Sequence, residues 1–326
     1  MRWECSRRSA FRCNGKITTN LAISAVISII EHNHAGDEGS VGAAKVHTTL
    51  YQQAKSTRGN TSRIVADSLE SMTEDGRIAM ENINTVKRYV QRKRQEGRPK
   101  DPESLKDLKN LGEWTMTRGE HSVPFLLHDN GAEANNRIII FATRDAMDHL
   151  AKAHTWYMDG TFASAPVLFE QLFVIRAPLG DSAISCVYGF LSGRSQEIYQ
   201  EFLTTVLDKG EELGLHMNPD TTMTDFEKSL LNAIGNVLGP QIHTKTCFYH
   251  LTQNTWRKLQ SIGWSVYEAT VSGEDRTNNQ CETWNNTFKY LVGYSHPTVW
   301  VTIEALNKDA LMVQTCLEKN AIGEKL

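Results

Sequence analysis

The chain has 326 residues, room for one large domain or two of ordinary size, and its 40% hydrophobic and 22% charged content is that of an ordinary globular protein. A net charge of −3 hides a split: Met1 to Asn110 holds 19 Lys/Arg against 13 Asp/Glu, so a basic first third precedes an acidic body. The longest apolar run, Leu21 to Ile30, is about half a bilayer span. Glu31-His32-Asn33-His34 follows it with no small-residue cleavage site, which argues against a membrane helix and against secretion. Six scattered cysteines form no dense framework and read as free thiols or metal ligands in a reducing compartment.

The first stretch spaces Cys5, Cys13, His32 and His34 as Cys-x7-Cys-x18-His-x-His. Two thiolates and two imidazoles make a closed tetrahedral Zn²⁺ site, able to hold a segment too small to bury its own core. Between the pairs, Ile23 to Ile29 is β-branched and partly alternating, which predicts a strand leading into the histidines. Trp3-x-Cys5, Cys13 and Glu31-His32-Asn33-His34 together resemble a FLYWCH-type zinc finger, without that family's upstream aromatic strand residues. The finger is assigned to residues 1–36.

Gly36 to Gly42 reads as a polar linker. A helical, basic region over residues 43–100 follows, with helices expected at Val46 to Lys55, Thr61 to Met72 and Ile83 to Gln95. Ile64, Ala66 and Leu69 face one side of the second, and Ile83, Val86 and Val90 one side of the third. The third helix carries Lys87, Arg88, Arg92, Lys93 and Arg94. Three short helices ending in a basic one suit a helix-turn-helix-like DNA reader whose cations contact phosphate. A nuclear-import tract running into a linker at Arg98 to Pro102 explains the same charges equally well.

From Thr155 the pattern turns to strands. Thr155 to Phe162, Gln171 to Leu179 and Ala183 to Ser192 are expected to meander. A helix from Gln196 to Leu213, a strand Thr221 to Asp225, a helix Phe226 to Leu238, a strand Gln241 to Phe248 and a helix His250 to Gln260 come next. That order is expected of an α/β, ribonuclease-H-like domain, a mixed sheet flanked by helices, assigned to residues 120–310. In such a fold the first strand and the strand after the first helix lie side by side, which brings Asp159 and Asp225 together. A third carboxylate on a late helix would complete a pocket for hard divalent cations. Taken singly, each has another explanation: Asp159 a turn, Asp225 a helix cap, Glu282 a solvated helical glutamate.

Four segments in order resemble Mutator-like element (MULE) transposases: Met158-Asp159-Gly160-Thr161-Phe162, Thr224-Asp225-Phe226-Glu227, Cys247-Phe248-Tyr249-His250, and Arg276 through Asn286 around Glu282. The resemblance implies a catalytic triad of Asp159, Asp225 and Glu282 holding Mg²⁺ or Mn²⁺ for DNA cleavage and strand transfer. It implies double-stranded DNA as partner, including the terminal inverted repeats of an element, with self-association open, no membrane, and a nuclear location. Cys247 and His250 match a family motif and lack a second ligand pair, so packing, DNA handling and metal ligation all stay open. The family carries a long insertion between the second Asp and the Glu, whereas only 57 positions separate Asp225 from Glu282. The alternative is therefore a catalytically inactive, transposase-derived DNA-binding or transcription-regulating protein.

Overall fold

The computed structural model describes residues 1–56, 61–96, 98–109, 111–118, 121–246 and 278–324. The chain divides into two compact units, Met1–Glu96 and Gly97–Leu326. No described helix is long and apolar enough to cross a membrane.

The first unit opens with β1 (Arg2–Glu4), a single helical turn α1 (Arg8–Phe11), β2 (Lys16–Thr19) and β3 (Val26–Ile30). The strands form an antiparallel sheet in chain order, with Trp3 opposite Ile17 and Ile17 opposite Ile29. All five residues of β3 are exposed, so this sheet has almost no apolar core of its own. Four helices follow rather than three: α2 (Glu38–Ser56), α3 (Thr61–Glu70), α4 (Glu74–Ala79) and α5 (Ile83–Gln95). They enclose Leu50, Ala54, Ile64, Val65, Val86 and Val90. The inner face of α3 is Ile64, Val65 and Ser68 with the half-buried Leu69 packed against them, while Ala66 and, on α5, Ile83 are exposed.

Most of the glycine-rich stretch expected as a linker is the first turn of α2. A Cβ on Gly39 would stand 2.8 Å from the Asp75 carbonyl oxygen, and one on Gly42 3.5 Å from the Gly76 Cα. These glycines let two helix backbones touch, which a composition-based reading takes for a break. The short α4 is set by Thr73, whose hydroxyl accepts the Gly76 N–H at 3.3 Å as an N-cap.

The second unit is built on a seven-stranded mixed sheet. Its elements are β4 (Leu126–Asp129), β5 (Ile138–Phe141), α6 (Arg144–Lys152), β6 (Thr155–Thr161), β7 (Gln171–Leu179), β8 (Ser182–Leu191), α7 (Gln196–Glu212), β9 (Thr221–Thr224), α8 (Lys228–Leu238), β10 (His243–Thr246), α9 (Asn279–Val292) and α10 (Val299–Ala321). The strand order is β10-β9-β6-β7-β8-β5-β4. β6, β7 and β8 are an antiparallel meander, while β9 lies parallel to β6 and β10 parallel to β9. The strands and helices expected between Thr155 and Thr246 are found within about two residues of their expected ends. The helix expected at His250 to Gln260, and Cys247 and His250 themselves, lie outside the described residues.

Strand alternation sorts the side chains of β6. Trp156 and Met158 join a core with Ile198, Phe202 and Leu203 of α7 and Leu230 and Ile234 of α8. Tyr157 joins the opposite core, with Trp284 and Phe288 of α9 and Trp300 and Leu306 of α10. A buried acid ties that second core together: Asp309 of α10 accepts hydrogen bonds from the Tyr188 hydroxyl at 2.6 Å and the Trp284 indole N–H at 2.9 Å.

Candidate functional site

The pairing of β6 with β9 runs Thr155 to Thr221, Trp156 to Thr222 and Tyr157 to Met223. Carried two residues further, the same register brings Asp159 level with Asp225. The strands are parallel, so both carboxylates leave the sheet at the same end. They line one cleft of about 480 Å³, together with Gly160, Phe162, Arg194, Thr224, Phe226 and Glu227.

Asp159 is 4% exposed and is held in place at both oxygens. One accepts its neighbour's Gly160 N–H at 2.8 Å, the other the Asn285 side-chain N–H at 2.7 Å from α9. The start of α9 is fixed against the same strands: Asn278 donates to the Met158 carbonyl at 3.1 Å, and the Arg176 guanidinium reaches the carbonyls of Gln280 and Ala183. Cys281 lies between these groups. Burial, and behind it the charges of Asp159 and Asp225, push its thiol well above the usual range.

Glu282 sits half-buried in the first turn of α9, beside the expected apolar stripe of Cys281, Trp284 and Phe288. It does not line the cleft. Glu227 does. Its carboxylate accepts the Tyr199 hydroxyl at 3.1 Å, and Tyr199 in turn accepts the Gln171 amide N–H at 2.9 Å. Gln171 also donates to the Gly193 carbonyl at 3.2 Å. A Cβ on Gly160 would collide with the Gln171 amide oxygen, so the glycine after Asp159 makes room for this chain. Burial raises the Glu227 pKa, and the Asp225 and Glu170 charges add to it against Tyr199 and Arg194. Arg194 pairs with Glu170 at 2.8 Å and lies over the Phe162 ring at 4.9 Å. Phe162 and Phe226 are both exposed.

Sequence reasoning gave no role to Glu227, Thr224 or Asn285. The available signal was the Asp-x-Glu spacing after a strand, which returns the second carboxylate to the same side of extended chain.

The four N-terminal ligand candidates come together, with Cys5, Cys13, His32 and His34 offering atoms all within 4.8 Å of one another. Cys5 Sγ stands 3.3 Å from His34 Nε2, and Cys13 Sγ 3.4 Å from His32 Nδ1. Tetrahedral bonds of about 2.3 Å to sulfur and 2.0–2.1 Å to nitrogen imply an S···N edge of about 3.5 Å, so the cluster fits zinc. Backbone N–H groups of Arg7 and Gly15 each approach a thiol sulfur at 3.3 Å. His34 Nδ1 bonds the Ala35 carbonyl at 2.9 Å, which leaves Nε2 as its ligand atom. Burial pushes the Cys13 thiol up, but hydrogen bonds from Asn33, Gly15, Cys5 and His32 overcome this and lower its pKa to about 6.

The five basic residues of α5 divide into two sets. Lys93 pairs with Glu96 at 2.7 Å and lies over the rings of Tyr51 and Tyr89, and Arg94 donates to the Thr61 hydroxyl at 3.1 Å. Arg88 and Arg92 are exposed, and Lys87 is half-buried.

No curated protein matches the chain. Residues 155–254 match the MULE transposase domain, a segment that begins with β6 and contains Asp159, Asp225 and Glu227 but ends before Glu282. This match points to a transposase-like function for the second unit.

Proposed function

We propose that the chain is a transposase-like DNA-binding protein whose second unit is a ribonuclease-H-like domain for DNA cleavage and strand transfer. The observation that carries this reading is the arrangement of the carboxylates. A three-stranded antiparallel meander continues into two parallel strands, with Asp159 on β6, the meander strand that borders them, and Asp225 at the end of its parallel neighbour β9. Asp159 and Asp225 would hold the cations, and Glu282 would complete the set once DNA is bound. The donors fit hard ions such as Mg²⁺ or Mn²⁺, because the cleft offers carboxylate oxygens. When bound, such ions stabilise the attacking and leaving oxygens of a phosphodiester. Asn285 orients Asp159, and Arg194 supplies a cation at the mouth for the phosphate backbone.

The first unit supplies DNA contacts in this reading. Cys5, Cys13, His32 and His34 hold zinc in a FLYWCH-type finger, and Arg88 and Arg92 meet phosphate, with Lys87 beside them. The partner is double-stranded DNA, including terminal inverted repeats, and the place of action is the nucleus.

The test is Mn²⁺- or Mg²⁺-dependent cleavage of labelled double-stranded DNA by the wild type, Asp159→Ala and Glu282→Ala. Cleavage lost in both variants supports the reading. A second reading, a non-catalytic DNA-binding descendant of a transposase, is favoured by the position of Glu282 away from the cleft lining. Wild-type protein that shifts DNA in a gel yet cuts no more than the variants would establish it.

A further inference from the structure

Resting on the cation-binding reading above, we propose that Glu227 is the third carboxylate that loads a divalent cation at the cleft beside Asp159 and Asp225. The Thr224 hydroxyl is its neutral oxygen partner, and Glu282 is not needed for loading. Among the described residues, the carboxylates that line the cleft are those of Asp159, Asp225 and Glu227. A cluster of acids is ordinarily a solvated surface, but this one surrounds something a surface does not. Thr224 is fully buried and lines the same cleft, and among the described residues its hydroxyl has no hydrogen-bond partner. Other buried hydroxyls, Ser164 among them, also lack a partner among the described residues, but of these Thr224 is the one that lines the acidic cleft, where its hydroxyl is placed to meet a ligand or its bound water.

The support behind Glu227 is that of a held ligand. Gln171 is 1% exposed and its amide donates to the Tyr199 oxygen, so the Tyr199 hydrogen is directed at Glu227. One carboxylate oxygen takes that bond, and the other remains for a cation. Metal-ligating carboxylates are typically fixed in this way by a second hydrogen-bonded layer, and removing such a layer commonly costs about 10–100-fold in affinity. Glu282 lies on a different element and is not among the residues that line the cleft. Its contribution belongs to the DNA-bound state, so loading and cleavage would depend on different glutamates.

The experiment is Mn²⁺ binding to the zinc-loaded full chain, read from loss of the free-ion electron paramagnetic resonance signal at fixed pH. The wild type is compared with Asp159→Asn, Glu227→Gln, Glu282→Gln and Thr224→Val. The expected result is binding by wild type, its loss in Asp159→Asn, affinity at least tenfold weaker in Glu227→Gln, and Glu282→Gln within twofold of wild type. Thr224→Val keeps the shape without the hydroxyl and is expected to weaken binding several-fold. If Glu227→Gln fails to melt like the wild type, Tyr199→Phe replaces it, since it removes only the hydroxyl that fixes Glu227. Wild-type binding with Glu227→Gln (or that replacement) unaffected overturns the proposal and leaves the cation reading intact. Wild type that binds no more Mn²⁺ than Asp159→Asn overturns both.

Discussion

Replacing Asp309 with alanine removes the single acceptor shared by Tyr188 of β8 and Trp284 of α9. The Tyr188 phenol stays a donor, because burial and then the Asp309 charge hold its pKa well above the ordinary value. All three residues are nearly inaccessible, at 6%, 1% and 5% exposure, so water cannot replace the lost oxygen. An orphaned buried donor costs about 1–3 kcal/mol, and two of them about 2–6 kcal/mol. In a unit of this size each kcal/mol moves the melting temperature by about 2–4 °C, so Asp309→Ala should melt roughly 10 °C lower. Asp309→Asn keeps a carbonyl oxygen and should lose about a third as much. Near-UV circular dichroism on heating reads the second unit through its buried aromatics. An Asp309→Ala melt within about 2 °C of wild type, or an Asn variant as damaged as the Ala, would refute the shared-acceptor account.

Zinc removal by a chelator, or Cys13→Ser, should unfold the three-stranded sheet while α2–α5 persists, as followed by Co²⁺ absorbance and far-UV circular dichroism. The Cys13 pKa is depressed from 9.0 to about 6. Its thiolate therefore favours the metal-free fold fully above pH 9, and that contribution is lost as pH falls through about 6. Protonation of Cys13 should accordingly contribute about a tenfold loss of metal affinity per unit below pH 6. Gly15→Ala places a Cβ 2.7 Å from His32 Nδ1 and should weaken Co²⁺ binding at least tenfold in a competition titration. Gly160→Ala collides with Gln171 and should destabilise the second unit by about 1–3 kcal/mol in urea. Replacing Arg88 and Arg92 together should lower the slope of log affinity for DNA against log salt by about 2, with equal losses across sequences.

The central sheet was legible because its strands are β-branched, aromatic and bounded by turn residues, and because Asp159 and Asp225 each stand at a strand's end. The Cys/His cluster was legible from the ligand spacing together with Trp3-x-Cys5 and the closing His-x-His. What escaped had physical reasons. Ile138–Phe141 is a four-residue apolar run, too short to separate a strand from a buried helix segment. α10 buries Glu304, Asn307 and Asp309 along with its apolar residues, so it has no polar face to set a helical period. Glu304 is neutralised there by a two-pronged bond from Arg98, a residue that sequence reading placed in a linker. Glu227 went unassigned because its value lies in Tyr199 and Gln171, which are distant in sequence and meet it only in the fold.

The parallel pairing of β6 with β9 also sets when a cation can act during folding. Asp159 belongs to a meander of neighbouring strands, which needs only short loops to form, whereas Asp225 arrives across the whole of β7, β8 and α7. Closing that longer loop is the slower event. A chain with the meander built and β9 still unpaired holds Asp159 alone, and its affinity for Mn²⁺ would be that of an isolated carboxylate. On the proposed cation reading, the ion would bind the completed sheet and not its precursor, so added Mn²⁺ should slow unfolding and leave the early folding rate untouched.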